Sequence, residues 1–219
     1  MVADMFKKIH LFYYITALYI ILSIILGMFL TNFLIVFLGW NLFLATFVFF
    51  LSEIYVFLNK KGIHIWVQSV VLIMFILFFP NTLYVLTDFI HLQNYSFFEN
   101  YPNLYAFQIE DWLVFMHILI GALYAIKLGI SSIHNLEHVF KPLFKKYYIL
   151  ALSTLFLLSS TGIYIGRFLR FNSWNFLQLF SMLSEVFKNL SFFIGIIAIF
   201  FVLHWVSYFL FSKQEISDI

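Results

Sequence analysis

The chain of 219 residues contains no cysteine, only 3 prolines and only 10% charged residues. Without cysteine, disulfides and thiolate metal sites are excluded, and the redox compartment cannot be inferred. A soluble domain carries charge on about a quarter of its residues, so this composition excludes an ordinary soluble fold. What the chain has instead is apolar: 64% of its residues are hydrophobic. The composition predicts a protein of the lipid bilayer.

The apolar residues form long continuous blocks. Each block approaches the roughly 20 residues that a helix needs to cross a membrane, whereas a barrel would show alternating segments of roughly 10. We therefore predict an all-α, polytopic helical membrane protein with a single transmembrane domain. About six spans are expected, at residues 11–30, 33–58, 63–79, 112–130, 147–166 and 191–211.

The distribution of basic residues predicts the orientation. With a cytoplasmic N-terminus, six spans place nine lysines inside, and only Arg167, Arg170 and Lys188 outside. The inner lysines are Lys7, Lys8, Lys60, Lys61, Lys127, Lys141, Lys145, Lys146 and Lys213. This asymmetry follows the positive-inside rule. Both termini are therefore expected on the cytoplasmic side of the membrane.

One outer segment has a different character. Over residues 174–190, apolar side chains such as Phe180 and Phe187 alternate at helical spacing with polar ones such as Gln178 and Glu185. A short segment with so marked a division into two faces is typical of a helix lying along the membrane surface. We predict an outer interfacial amphipathic helix here.

A polar stripe follows the third apolar block, where Phe78 to Leu92 reads FFPNTLYVLTDFIHL. On an α-helix, Asn81, Tyr84, Asp88 and His91 fall within roughly an 80° sector. Polar groups in lipid are expensive unless partnered, so the stripe should face protein. We interpret Asp88 and His91 as candidate catalytic acid and base residues.

Other polar residues are expected at a similar height near the outer surface. Counting along each span at about 1.5 Å per residue places Asn41 and His117 roughly 10 Å below the outer boundary, near Asn81 and Tyr84. Asp88 and His91 are expected at or just above that boundary. The full set of candidate ligand-binding residues is Asn41, Asn81, Tyr84, Asp111, His117, Arg167, Arg170 and Asn172.

Two interpretations of these charges remain open. Because unpaired charges are costly there, Asp88 and Asp111 are expected to meet Arg167 or Arg170 between helices. In a purely structural interpretation these pairs hold helix ends together. In a functional one, the arginines bind an anionic group, such as an envelope precursor or a lipid-linked molecule, while Asp88 and His91 act on it.

Three strings together resemble a known family. They are WNLFLA at 40–45, FFPNTLYVLTDFIHL at 78–92 and GIYIGRFLRFNSWN at 162–175, and they resemble the bacterial integral membrane family called domain of unknown function 1361. The resemblance covers about residues 33 to 205. It differs at Phe171 and Asn175, where the family usually has tryptophan and aspartate. The resemblance implies a membrane fold and these polar residues, but no activity.

Several alternatives compete with an outer site. Asp88 and His91, with Asp111 or His117, have the residue types of a zinc site, but nearby arginines would compete for the carboxylates, and no metal is expected. The string HNLEH at 134–138 matches an inverted zincin motif, yet it is expected in a short inner loop. Glu53 and His204 would be relays in a small proton-coupled transporter.

Small residues recur at every fourth position in two spans. Gly162 and Gly166 lie in one, and Gly121, Ala125 and Gly129 in the other. Such spacing predicts close helix packing within the chain.

The partners expected are the lipid bilayer, an anionic lipid or envelope precursor and, for a scaffold or complex subunit, another protein. No nucleic acid is expected, and no cofactor is identified.

Overall fold

The computed structural model describes residues 2–98, 104–169, 184 and 186–212, with the backbone alone over residues 2–10. In these ranges the chain is mostly helical, with short loops between the helices and an isolated bridge between Phe98 and Tyr105. The α-helices are α1 (Val2–Phe29), α2 (Phe33–Lys60), α3 (Ile65–Phe78), α4 (Asn81–Tyr84), α5 (Ile109–Phe144), α6 (Tyr148–Arg167) and α7 (Leu190–Phe211). Two 3₁₀ segments, Val85–Asn94 and Lys145–Tyr147, join α4 to the following loop and α5 to α6.

The all-α membrane fold is confirmed. Five segments are long and apolar enough to cross a bilayer: Leu11–Phe29, Phe33–Lys60, Ile65–Asn94, Ile109–Arg167 and Leu190–Phe211. The fourth contains both α5 and α6, so that each of the six predicted spans overlaps one of the described helices. Of the predicted interfacial segment 174–190, only residues 184 and 186–190 are among the described residues, so the prediction of an interfacial helix stays a prediction.

Local sequence signals set the ends of α2. Asn32 is its N-cap, and the side-chain oxygen of Asn32 accepts a hydrogen bond from the Leu34 amide at 3.0 Å. At the other end Gly62 adopts φ +63°, a conformation that glycine reaches without steric cost. The Gly62 amide donates to the Asn59 carbonyl and the Ile63 amide to Leu58, both at 3.0 Å. This double closure is a Schellman motif.

Pro80 interrupts the third membrane segment. Proline has no amide hydrogen and its ring clashes with the preceding turn, so α3 ends at Phe78 and α4 begins at Asn81. The side chain of Asn81 donates to the Phe78 carbonyl at 2.8 Å, and the Thr82 hydroxyl donates to the Phe79 carbonyl at 2.9 Å. Side chains thus satisfy carbonyls at the break, which polar groups in lipid require.

Helix α5 is longer than the sequence predicted. The span expected at 112–130 belongs to a helix of 36 residues, about 54 Å long at 1.5 Å per residue. The HNLEH string at 134–138 therefore lies on this helix, and its assignment to a loop was wrong. Glu137 explains part of the extension, because it forms an ion pair with Lys141 at 3.1 Å and accepts a hydrogen bond from Tyr208 of α7.

Packing is centred on α2 and α5, which lie against each other and against α1 and α4. One large buried cluster joins α2, α3, α5, α6 and α7, and includes Phe75, Phe79 and Phe156. Two smaller clusters lie where α1 and α2 meet α5. Val85 belongs to one of these and Phe89 packs against both, so the 3₁₀ segment is inserted between them. This insertion buries Asp88, which lies between Val85 and Phe89.

Candidate functional site

Asp88 forms the centre of a polar cluster that also contains Asn41, Tyr84, Thr87 and Arg167. Asp88 is fully buried, with 1% of its side chain exposed. One carboxylate oxygen forms an ion pair with the guanidinium group of Arg167, at the end of α6. The other accepts a hydrogen bond from the side-chain amide of Asn41 of α2, at 2.7 Å. Asp88 was predicted to pair with Arg167 or Arg170, and the structure shows the pair with Arg167. Together with Asn41, the pair joins three elements of the fold.

Arg167 is held on three sides. Its Nε donates to the Thr87 hydroxyl at 2.5 Å, and its guanidinium carbon lies 4.6 Å from the centre of the Tyr84 ring. The Thr87 hydroxyl in turn donates to the Tyr84 carbonyl at 2.6 Å. Cation–π contact and charge-assisted hydrogen bonds together fix the plane of the guanidinium group. The Arg167 side chain nevertheless remains 17% exposed.

The polar stripe is not one α-helical face. From Val85 the backbone is a 3₁₀ helix, which has three residues per turn and superimposes residues i and i+3. Tyr84 therefore aligns with Thr87, and Asp88 aligns with His91 on a face about 120° away. The predicted 80° sector was wrong for this reason. Arg167 contacts both faces, which is why Thr87 joins the cluster.

Asp88 and Asn41 lie at one level, unlike the prediction. Asp88 was expected roughly 10 Å nearer the outer boundary than Asn41, but its carboxylate is bonded to Asn41. Asn41 lies eight residues inside the first residue of α2, Phe33, or about 12 Å along the helix. The 3₁₀ segment thus packs alongside α2 instead of rising above it. At this depth the charges depend on each other, because lipid offers no solvation.

His117 lies near this level but contacts α1. Its Nε2 is 2.8 Å from the Ser23 hydroxyl, and its ring stacks on Tyr19 with the ring centres 4.3 Å apart. The Tyr19 hydroxyl donates to the His117 backbone carbonyl at 2.9 Å. His117 is buried, so its contacts are those of a helix-packing residue. The Ser23 and Tyr19 partners were not singled out in the sequence, where they lie within an apolar run.

Asp111 contacts the loop that precedes α5. In the first turn of α5, its carboxylate accepts a hydrogen bond from the Ser96 amide at 2.9 Å, which attaches the preceding loop to the helix. A carboxylate near a helix N-terminus is also favoured by the helix dipole. His91 is half-buried, one 3₁₀ turn beyond Asp88. Arg170 and Asn172 lie outside the described residues, so pairing of Asp111 with Arg170 stays a prediction.

The two transporter candidates are both engaged. The Tyr13 hydroxyl of α1 donates to the Glu53 carboxylate of α2. His204 is buried in α7, with Nδ1 2.7 Å from the Phe200 carbonyl and Nε2 2.9 Å from the Ser159 hydroxyl of α6. A carbonyl only accepts, so a neutral ring with its proton on Nδ1 satisfies both contacts. Each residue therefore links two neighbouring parts of the helix bundle.

No group of three or more histidine or acidic residues with metal-site geometry occurs in the part of the chain that the structure describes. Asp88 illustrates the reason. Its two oxygens already bind Arg167 and Asn41, and a metal would have to displace both.

The sequence match to a known family covers every residue of the Asp88 cluster. The model of a family described as "Protein of unknown function (DUF1361)" matches residues 40–207. The chain belongs to this family. The matched range begins just before Asn41 and includes Asp88 and Arg167, so the DUF1361 region contains every member of the cluster. No curated protein and no solved structure matches the chain.

Proposed function

We propose that this DUF1361 protein is a non-enzymatic membrane scaffold or subunit of a larger complex, in which the Asp88 cluster fixes the arrangement of helices. One observation carries the proposal: Asp88 is 0% exposed with both of its oxygens engaged. A general acid or base must come within hydrogen-bond reach of a substrate. The Asp88 carboxylate is already committed to Arg167 and Asn41, so its role is to hold α2, the 3₁₀ segment and α6 together.

A second candidate is an outward-facing site for an anionic envelope or lipid-linked molecule. It is favoured by the residual exposure of Arg167, whose side chain is 17% accessible and ends α6. Arginine presents several N–H donors in a planar fork suited to phosphate and carboxylate groups. In this case Asp88 and Tyr84 would orient the guanidinium group, and the ligand would approach its free edge. The transporter alternative has no comparable exposed group among the contacts of Glu53 and His204 described above.

The scaffold and the anionic-ligand site predict different results when both charges of the Asp88–Arg167 pair are removed. The double variant Asp88→Asn with Arg167→Gln keeps two polar side chains of similar size but removes both charges. If the cluster is structural, this variant should restore the folded yield that either single change lowers. It should also restore the wild-type phenotype when it is expressed in a strain lacking the protein. Folded yield is measured by size-exclusion chromatography in detergent.

The outcome that contradicts the scaffold proposal is recovery of folded yield without recovery of phenotype, because the anionic site needs a cation at position 167. Arg167→Lys, made alone, provides the matched control. Lysine keeps the positive charge but lacks the planar set of N–H donors of arginine. A ligand site should therefore lose most of its activity. In a scaffold, the phenotype should change only as much as the folded yield changes.

We further propose that both termini lie in the cytoplasm and that the protein resides in a bacterial plasma membrane. The support is the excess of lysines on one side. Lys61→Cys and Asn94→Cys place single thiols at exposed positions in a chain that has no native cysteine. A membrane-impermeant maleimide added to intact cells should label Asn94→Cys and spare Lys61→Cys. The reverse pattern would overturn the orientation.

A further inference from the structure

An apolar groove lies between α3, α5 and α6, near the end of the molecule where α5 meets α6. It encloses about 190 Å³. Phe75, Leu136 and Leu152 form buried parts of its wall, while Phe144 and Tyr148 stand at one end. Along α6 its lining extends from Tyr148 to Leu155, about 10 Å. The groove therefore follows the direction of a membrane-crossing helix, which is also the direction of a lipid acyl chain.

Lysines stand at the Tyr148 end of this groove. Lys145 and Lys146 are exposed and form the reversal between α5 and α6, directly between the lining residues Phe144 and Tyr148. Lys141 Nζ lies 5.8 Å from the centre of the Tyr148 ring. The apolar slot thus ends at a concentration of positive charge, as an amphiphile with an anionic headgroup requires.

The chemistry decides which part of such a molecule supplies selectivity. A groove wall is no more apolar than the lipid around it, so an acyl chain gains shape complementarity there but little transfer energy. Selectivity must come from the headgroup, and lysine ammonium groups bind phosphate through charge-assisted hydrogen bonds. Lys141 is partly satisfied by Glu137 at 3.1 Å. Lys146 Nζ lies 5.0 Å from the centre of the Tyr147 ring, a contact that does not neutralise its charge, so Lys145 and Lys146 remain the candidates for headgroup contact.

We propose that this groove binds one anionic phospholipid, with an acyl chain between α3 and α6 and the headgroup phosphate at Lys145 and Lys146. Free phosphate would lack the chain that fills the groove, so the ligand is a lipid. A second groove, between α1 and α2, shows the contrast. It is lined by Tyr13 and Thr16, and the hydroxyl of Tyr13 bonds to the carboxylate of Glu53, which does not favour an anionic headgroup.

The test uses the full chain reconstituted in phosphatidylcholine nanodiscs that contain phosphatidylglycerol. Native mass spectrometry then measures which lipids remain bound on release. The wild-type protein should retain one phosphatidylglycerol in preference to phosphatidylcholine. Lys145→Gln with Lys146→Gln should lower this preference by about fivefold per lysine, as expected for a basic residue close to an anionic membrane surface. Lys60→Gln with Lys61→Gln, two exposed lysines outside the groove, is the matched control and should change nothing.

Filling the groove tests the chain-binding half of the site. Ala151 lines the groove, and Ala151→Phe should abolish retention of phosphatidylglycerol while the monodisperse fraction in size-exclusion chromatography is unchanged. Ala151→Leu makes a smaller change at the same place and replaces Ala151→Phe if that variant does not fold. The proposal is overturned if the control lysine pair lowers the preference equally, if the groove-filling variant leaves retention intact, or if the wild-type protein retains both lipids equally.

Discussion

Replacing Asp88 with alanine is expected to lower the free energy of unfolding by about 3–5 kcal/mol, because it leaves the Arg167 guanidinium group unpaired in a low-dielectric environment. The buried ion pair is not strongly stabilising compared with apolar side chains of similar size, since both charges lose their hydration. The large effect arises from breaking one half of it. Asn41 also loses the oxygen to which it donates.

A double-mutant cycle measures this coupling. Arg167→Ala alone should be about as damaging as Asp88→Ala, and the two together should be less damaging than the sum, since neither charge is then left behind. Unfolding is followed by chemical denaturation in mixed detergent micelles. Glu110→Ala, at an exposed acidic position in the first turn of α5, is the control and should remain within about 0.5 kcal/mol of wild type. Additive effects of Asp88→Ala and Arg167→Ala would show that the pair is not coupled.

Gly129→Leu is expected to disrupt the packing of α5 against the kinked segment. A Cβ built on Gly129 would meet Thr82 Cβ at 2.7 Å and Thr82 Oγ1 at 2.8 Å. Those distances are too short for any side chain, so the helices must separate. Overpacking of this kind costs about 1–3 kcal/mol and occasionally more. Displacing Thr82 also moves the 3₁₀ segment that carries Asp88, so Gly129→Leu should reduce thermal stability in detergent, with Gly129→Ala showing a smaller loss.

Gly195 provides the matched control. It lies within α7, and a Cβ added there has no neighbouring atom within 4 Å. Gly195→Ala should therefore be neutral, or slightly stabilising because alanine favours helix over glycine. If Gly129→Ala proved as neutral or stabilising as Gly195→Ala, helix propensity, and not close packing, would govern these sites.

The same contacts account for the small-residue spacing that the sequence showed. Gly121 approaches Tyr19, and a Cβ on Gly162 would meet Pro80 Cγ at 2.6 Å. Gly166 lies against Tyr84, the residue on which the Arg167 guanidinium group stacks. The glycines of α5 and α6 therefore face partners within the same chain, as predicted. Small residues allow the close backbone approach that helix association in lipid depends on.

The sequence by itself determined the class of fold, the approximate spans and the expectation that Asp88 pairs with one of two arginines, Arg167 or Arg170. The class and the spans depend on composition and on the length of apolar runs, which the bilayer constrains directly. The pairing could be predicted because an unpaired charge in lipid is so costly that opposite charges on neighbouring helices have few other partners. None of these inferences requires knowledge of how the helices pack.

Only the tertiary structure decided the position of Asp88 beside Asn41 of α2, the 3₁₀ backbone that carries it, and the extension of α5 to Phe144. An α-helix and a 3₁₀ helix differ little in free energy, so packing between neighbouring helices can decide which of them forms. The 3₁₀ backbone in turn determined which residues lie beside Asp88. Thr87 joined the cluster for this reason. Likewise, Glu137 extends α5 through contacts with Lys141 in the same helix and Tyr208 in α7, and the contact with α7 exists only once distant helices have met.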